Sequence, residues 1–174
     1  GFLCEDFVRD KDAVSACVIL AEIAAWAKDQ GLSLYQLLQK IYVEYGFSKE
    51  KGISVVKKGK SGAEEIEAMM KKFRENPLTE IAGSKVTYFY DYSTLKGKDY
   101  AENETVTLDM PTTSNVLQYF TEDNTKVSIR PSGTEPKIKF YCEVHSKVKS
   151  IDELPEAEKA AEEKINQIKA SLGI

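Results

Sequence analysis

The sequence predicts an α+β protein: an antiparallel sheet packed by helices, preceded by a separate helical segment. Three observations carry this. Apolar residues recur at the helical period in the first part of the chain, the period changes to two between about residues 85 and 144, and an amphipathic helical pattern closes the sequence. The joins between the period-two stretches are short and rich in turn residues, which favours antiparallel pairing over long crossovers.

Taken in order, residues 13–27, AVSACVILAEIAAWA, are apolar on nearly every side, broken by Ser15 and Glu22. Such a helix demands burial all round. Asp10 is suited to cap it, and Gly31 stops it shortly after Lys28. Only twelve residues precede it, so the expectation is that neighbours belonging to a longer chain cover it; a helix wrapped by later elements or hidden in an oligomer is the other reading. Ser33 and Gln36 form a capping-box pattern for a second helix with Leu34, Leu37, Leu38, Ile41, Tyr42 and Tyr45 at i, i+3, i+4 spacing, ended by Gly46. These two helices are expected to form one unit, residues 1–46, and residues 47–174 a second.

A linker with a possible short strand at 53–57 leads to Ser61 and Glu64, a second capping-box pattern. The helix behind it is expected to bury Ile66, Met69, Met70 and Phe73 and to end before Pro77. Strands are predicted at 85–92, 105–110, 115–120, 125–130 and 137–144, with Glu122-Asp123-Asn124 as one of the turns. The series Tyr88, Tyr90 and Tyr92 reads as one face of a strand. The last helix, about 152–172, carries Leu154, Ala157, Ala161, Ile165, Ile168 and Leu172 on one stripe and is expected to pack on the sheet.

With 28 acidic and 24 basic residues among 174, and a net charge of -4, the chain lacks the basic surface of a nucleic-acid or membrane binder, and neither partner is expected. No apolar run reaches the roughly 18 residues of a membrane span. No secretory signal is visible, and Cys4, Cys17 and Cys142 have neither paired nor metal-ligand spacing, so the expectation is a cytoplasmic protein with reduced core thiols. His145 stands alone at a strand end and reads as structural or solvated. No metal-ligand cluster and no catalytic constellation is predicted.

The most informative stretch is Ser128-Ile129-Arg130-Pro131-Ser132-Gly133-Thr134-Glu135-Pro136-Lys137-Ile138-Lys139-Phe140-Tyr141. Val127 and Ile129 alternate with Lys126, Ser128 and Arg130, and Ile138, Phe140, Cys142 and Val144 alternate with Lys139, Tyr141 and Glu143. Two half-buried strands therefore flank a short loop, and if both apolar sets face one core, Arg130 and Lys139 share the opposite face. Ser132, Gly133 and Thr134 add two hydroxyls and three successive backbone N–H groups, while Pro131 and Pro136 stiffen the loop ends. An arginine fork matches phosphate oxygens, each charge-assisted bond being worth roughly 1.5 to 3 kcal/mol. An ordinary turn with two solvated charges is the plainer reading of the same composition.

Arg-Pro-Ser-Gly-Thr-Glu-Pro-Lys followed by a β run resembles the phosphate-binding loop in the C-terminal domain of the α-D-phosphohexomutases, the phosphoglucomutase and phosphomannomutase family. Phe7-Val8-Arg9-Asp10-Lys11-Asp12-Ala13-Val14 resembles the segment after the sugar-recognition loop of that family's third domain, a loop of which only the final residue, Gly1, is present. Thr112-Thr113-Ser114-Asn115-Val116-Leu117 and the following strand look most like bacterial members.

The resemblance implies a fragment: residues 1–46 as the helical tail of domain three, and residues 47–174 as domain four, an antiparallel sheet with helices similar to that of the TATA-binding proteins. It implies that the full-length parent is an isomerase of carbohydrate metabolism, an intramolecular phosphotransferase that interconverts 1-phospho and 6-phospho hexoses through a phosphoserine and a bisphosphate intermediate. Mg²⁺ and a hexose bisphosphate activator would serve that parent, and none would be bound by this fragment, which is expected to be inactive alone. Its partners would be the phosphosugar and the missing N-terminal domains. By match, Arg130, Ser132, Gly133 and Thr134 grip the substrate phosphate; Lys139 stands where the family usually has arginine, and Lys11 falls at a substrate-contacting lysine. Lys137 is expected to matter little if it points to the opposite face. A stand-alone phospholigand-binding or interaction module without a catalytic partner is the alternative.

Overall fold

The computed structural model describes residues 10–57 and 59–174. They fall into two compact units, one of residues 10–46 with Lys147–Leu154, the other of the described residues of Phe47–Ser146 with Pro155–Ile174.

The first unit holds helices α1 (Ala13–Asp29) and α2 (Leu34–Tyr45) and a 3-10 turn at Ile151–Glu153. Asp12, and not Asp10, caps α1: its carboxylate accepts from the N–H groups of Val14 at 2.9 Å and Ser15 at 3.0 Å. Only the residue directly before the first turn reaches those free donors; Asp10 instead accepts from the N–H of Lys11. Gly31 takes a left-handed conformation, φ 71°, where α1 stops. The predicted capping box on α2 forms, with Gln36 N–H donating to Ser33 Oγ and Ser33 N–H to Gln36 Oε1. Ala27 is buried, whereas Val14, Val18, Leu20, Ile23 and Trp26 of α1 are exposed, Trp26 by 55%. Cys17 is exposed as well, which corrects the expectation of core thiols for that residue; Cys4 lies outside the described residues.

The second unit runs β1 (Phe47–Val56), α3 (Lys60–Glu75), β2 (Glu80–Ile81), β3 (Ser84–Asp91), β4 (Lys96–Asp99), β5 (Glu104–Thr107), β6 (Leu117–Thr121), β7 (Lys126–Pro131), β8 (Lys137–Ser146) and α4 (Leu154–Leu172). The sheet order is β1-β8-β7-β6-β3-β4-β5, every pair antiparallel, with β2 paired to β3. The α+β class with an antiparallel sheet is therefore as the sequence predicts.

Three local expectations are corrected. The short strand at 53–57 is the end of β1, which pairs along its whole length with β8; its Ser-Lys-Glu-Lys-Gly start gives no apolar alternation because β1 is an edge strand, where charge is tolerated. β4 reads Lys-Gly-Lys-Asp and was not expected; Gly97 is required there because a Cβ would lie 2.4 Å from the Tyr90 ring opposite it. Ser61 does not cap α3: Gly59 is the cap residue and Ser61 lies inside the first turn, with no side-chain cap bond.

One face of the sheet carries the core. Leu117, Tyr119, Val127, Ile129, Ile138 and Phe140 are fully buried. From α3 come Ile66, Met70 and Phe73, the last with its ring edge-on to Phe140 at 6.1 Å; Met69 is only partly buried. Ala161, Ile165, Ile168 and Leu172 bury the stripe of α4, and Lys49 beneath it pairs with Glu158 at 3.0 Å and Glu162 at 2.9 Å. The alternate residues of the strands, Arg130, Lys139 and Tyr141 among them, form the opposite face.

Candidate functional site

The β7–β8 hairpin brings the loop residues together. Arg130 and Lys139 are direct cross-strand partners, as are Ser128 and Tyr141. A hollow of about 330 Å³ is lined by Arg130, Ser132, Gly133, Thr134, Lys139 and Tyr141, so the five residues predicted to grip phosphate line one cavity. Like charges facing each other across a strand pair repel. Among the described residues, Arg130 has neither an ion pair nor a side-chain hydrogen bond, so no carboxylate among them is paired with it.

The loop is fixed by its own bonds. Ser132 N–H donates to the Lys137 carbonyl at 2.8 Å, Lys137 N–H to the Glu135 carbonyl at 2.7 Å, and Glu135 N–H to Ser132 Oγ at 3.3 Å. Lys57 N–H, just beyond β1, donates to the Pro136 carbonyl at 2.9 Å and ties down the far end. This narrows the expected set of three free N–H groups: that of Ser132 is spent on the hairpin, which leaves Gly133 and Thr134, with the Ser132 hydroxyl still able to donate. At Gly133 an added Cβ would meet nothing within 4 Å, so the main chain is bare on that side.

Lys137 shares the face of Lys139, by the alternation of β8, and not the opposite one. Its ammonium is instead taken up by Glu135 at 2.8 Å. The hydrogen bond from Lys137, with its charge, holds the Glu135 carboxyl below the usual glutamate range. The one carboxylate of the loop is therefore bonded to Lys137, with Lys139 adding a weaker charge effect on it, and forms no ion pair with Arg130.

Lys11 belongs to the other unit, exposed in the segment before α1. Gly1 and Phe7–Arg9 lie outside the described residues. Two nearby features went unread in the sequence. A second hollow of about 480 Å³ flanks the loop, lined by Ser114, Asn115, Val116, Arg130 and Gly133. Asn115 is held there by Arg74 of α3, whose Nη2 donates to Asn115 Oδ1 at 2.9 Å while its Nε donates to Asp91 at 2.9 Å; no sequence spacing links these three residues. Among the described residues no group of three or more His, Cys, Asp or Glu is placed to hold a metal ion, and no helix is long and apolar enough to cross a membrane.

Comparison with known proteins identifies the family that the sequence resembles. The family model described as phosphoglucomutase/phosphomannomutase, C-terminal domain, matches residues 53–161. A phosphoglucomutase of Staphylococcus haemolyticus is 37% identical over 145 residues, covering 83% of this chain and 26% of that protein. One from Staphylococcus aureus is 39% identical over 141 residues, covering 81% and 25%. Among solved structures, the open form of parafusin, an exocytosis-sensitive phosphoprotein and phosphoglucomutase from Paramecium, aligns over 83% of this chain and 24% of its own, with a TM-score of 0.45 and 16% identity. The chain spans about a quarter of the length of these relatives. A family model matched over more than half of the sequence makes this protein a member of the phosphoglucomutase/phosphomannomutase family, with that family's C-terminal domain at residues 53–161.

Proposed function

We propose that the β7–β8 hairpin grips a phosphate group of a phosphosugar, and that this chain is part of a longer phosphohexomutase that interconverts 1-phospho and 6-phospho hexoses through a phosphoserine and a bisphosphate intermediate. The observation that carries the reading is the cross-strand pair Arg130 and Lys139, two like charges that share one cavity with the free N–H groups of Gly133 and Thr134. A dianion seated between them relieves the repulsion and accepts from both amides.

In this reading Arg130 supplies a two-pronged, directional contact and Lys139 a point charge. Ser132 and Thr134 donate hydroxyls. None of these groups forms or breaks a bond. They hold the non-reacting phosphate while chemistry occurs at the other end of the sugar, which suits phosphoryl transfer, where positioning and charge neutralisation do most of the catalytic work. Residues 1–46 are proposed to be the tail of the third domain and residues 47–174 the fourth; the exposed apolar residues of α1 are then a surface that the rest of the third domain covers. Lys11 is proposed as a further substrate contact. The parent would use Mg²⁺ and a hexose bisphosphate activator, but the described residues hold no cluster that fits a metal, and no step here runs through one.

Alone, the chain is proposed to be inactive. In the longer parent, removing a buried or paired charged contact costs about 2 to 5 kcal/mol, so Arg130→Ala is expected to lower kcat/KM by roughly 30-fold to several thousand-fold. Lys137→Ala should change it less than about threefold, because Glu135 already neutralises that ammonium. An Arg130→Ala enzyme as efficient as the wild type overturns the assignment.

A further inference from the structure

Tyr141 is the one large aromatic lining the loop cavity, and it is 44% exposed. It lies on β8 two residues past Lys139, on the same face, so it sits about 7 Å along the strand from the cation row. Arg130 and Lys139 form that row, and Ser128 and Tyr141 form the next. A phosphate held at the loop end is too far along the strand for Tyr141 to be its main partner. A group esterified to a phosphate at the loop end is long enough to reach over Tyr141.

The surroundings of the ring define that group. Its two cross-strand neighbours, Gly52 on β1 and Ser128 on β7, are small, and nothing lies within 4 Å of where a Cβ on Gly52 would be. The ring therefore stands uncovered between low neighbours. Beyond it the face closes with the ion pair of Lys126 and Glu143, 2.9 Å, which are partners in the following row. Beside it, Ser128 Oγ accepts from Gln118 Nε2 at 3.0 Å, and Gln118 Oε1 accepts from the Tyr92 hydroxyl at 2.8 Å. Ser128 already accepts, so its own O–H is left to donate. An open aromatic surface with a hydroxyl and an amide at its side suits a ring with one C–H face and a rim of hydroxyls.

We propose that Tyr141 is a substrate contact: its ring carries the sugar of a phosphosugar whose phosphate lies in the loop, with Ser128 at the sugar's edge. The proposal rests on the phosphate-grip reading and extends it from the anion to the polyhydroxy ring.

The test uses this chain, isotope-labelled, with two probes: methyl phosphate, which has the charge without the sugar, and glucose 1-phosphate. In the wild type both should shift the amides of Gly133 and Thr134, and only glucose 1-phosphate should shift the ring signals of Tyr141. Tyr141→Leu, which keeps an apolar side chain on the strand, should weaken glucose 1-phosphate roughly three- to tenfold and leave methyl phosphate within about twofold. Tyr141→Phe keeps the ring and should retain most of the affinity. Unchanged glucose 1-phosphate binding by Tyr141→Leu, with methyl phosphate still shifting the loop, overturns the role of Tyr141 and leaves the phosphate grip standing. A Tyr141→Phe variant as weak as Tyr141→Leu overturns the ring contact. Loop amides that respond to neither probe overturn both readings.

Discussion

Replacing Arg74 with methionine should destabilise the second unit, because Asp91 is a carboxylate with a side chain only 8% exposed. Arg74 Nε donates to Asp91 Oδ2 at 2.9 Å, and Asp91 Oδ1 accepts from the N–H of Ser93 at 3.0 Å and its hydroxyl at 2.7 Å. Stripping the partner from a buried ion pair costs about 3 to 5 kcal/mol. Arg74 is 31% exposed and the two Ser93 bonds survive, so water and the remaining donors reduce the expected cost to about 2 to 3 kcal/mol. Arg74→Met combined with Asp91→Asn removes both charges and should recover about 1 to 2 kcal/mol relative to the sum of the single changes. Urea unfolding followed by the ring signals of Tyr119 and Phe140 in NMR spectra reads this unit, since both rings are fully buried in its core; Trp26, Tyr35, Tyr42 and Tyr45 lie in the other unit. A cost below about 0.5 kcal/mol for Arg74→Met, or a double variant equal to the sum of the singles, refutes the reasoning.

Three further outcomes are expected. Phe140→Ala removes a fully buried ring at the centre of the core and should cost about 3 to 5 kcal/mol by the same urea assay, a loss under about 1 kcal/mol counting against the packing described. Burial pushes the Cys142 thiol up to about 11, so thiol reagents at neutral pH should reach it only on unfolding, as mapped by peptide mass; prompt modification contradicts its place in the core. Burial raises the Asp123 carboxyl, but the Lys164 ammonium and bonds from Thr121 and Thr125 outweigh it and hold it well below the usual range. A carboxyl lowered on folding stabilises above its unfolded pKa, about 4, and loses that contribution as pH falls toward its folded one. Thermal midpoints should therefore drop below about pH 4, and less steeply for Asp123→Asn; parallel acid limbs would refute the link.

The β7–β8 hairpin was legible because side-chain alternation maps directly onto burial: Val127, Ile129, Ile138 and Phe140 went inward, so Arg130 and Lys139 had to come out on one face. The capping box of α2 was legible because Ser33 and Gln36 meet within one turn. β1 and β4 were not, since an edge position and a glycine beneath Tyr90 stabilise them through pairing that no local period records. Ser61 had the right chemistry for a cap but sat two residues too late, after Gly59. In the site, the residue types showed the charge and missed its distribution. That Lys137 is neutralised by Glu135, that Ser132 N–H closes the hairpin, and that Asn115 is steered by Arg74 all depend on contacts made only by the folded chain.

The most direct test is a phosphate titration of the labelled chain followed at the amides of Gly133 and Thr134, run on the wild type, Arg130→Ala and Lys137→Ala. Saturable shifts are expected in the wild type and in Lys137→Ala, with binding at least about tenfold weaker in Arg130→Ala. Shifts absent from the wild type, or undiminished without Arg130, would contradict a phosphate held by this hairpin.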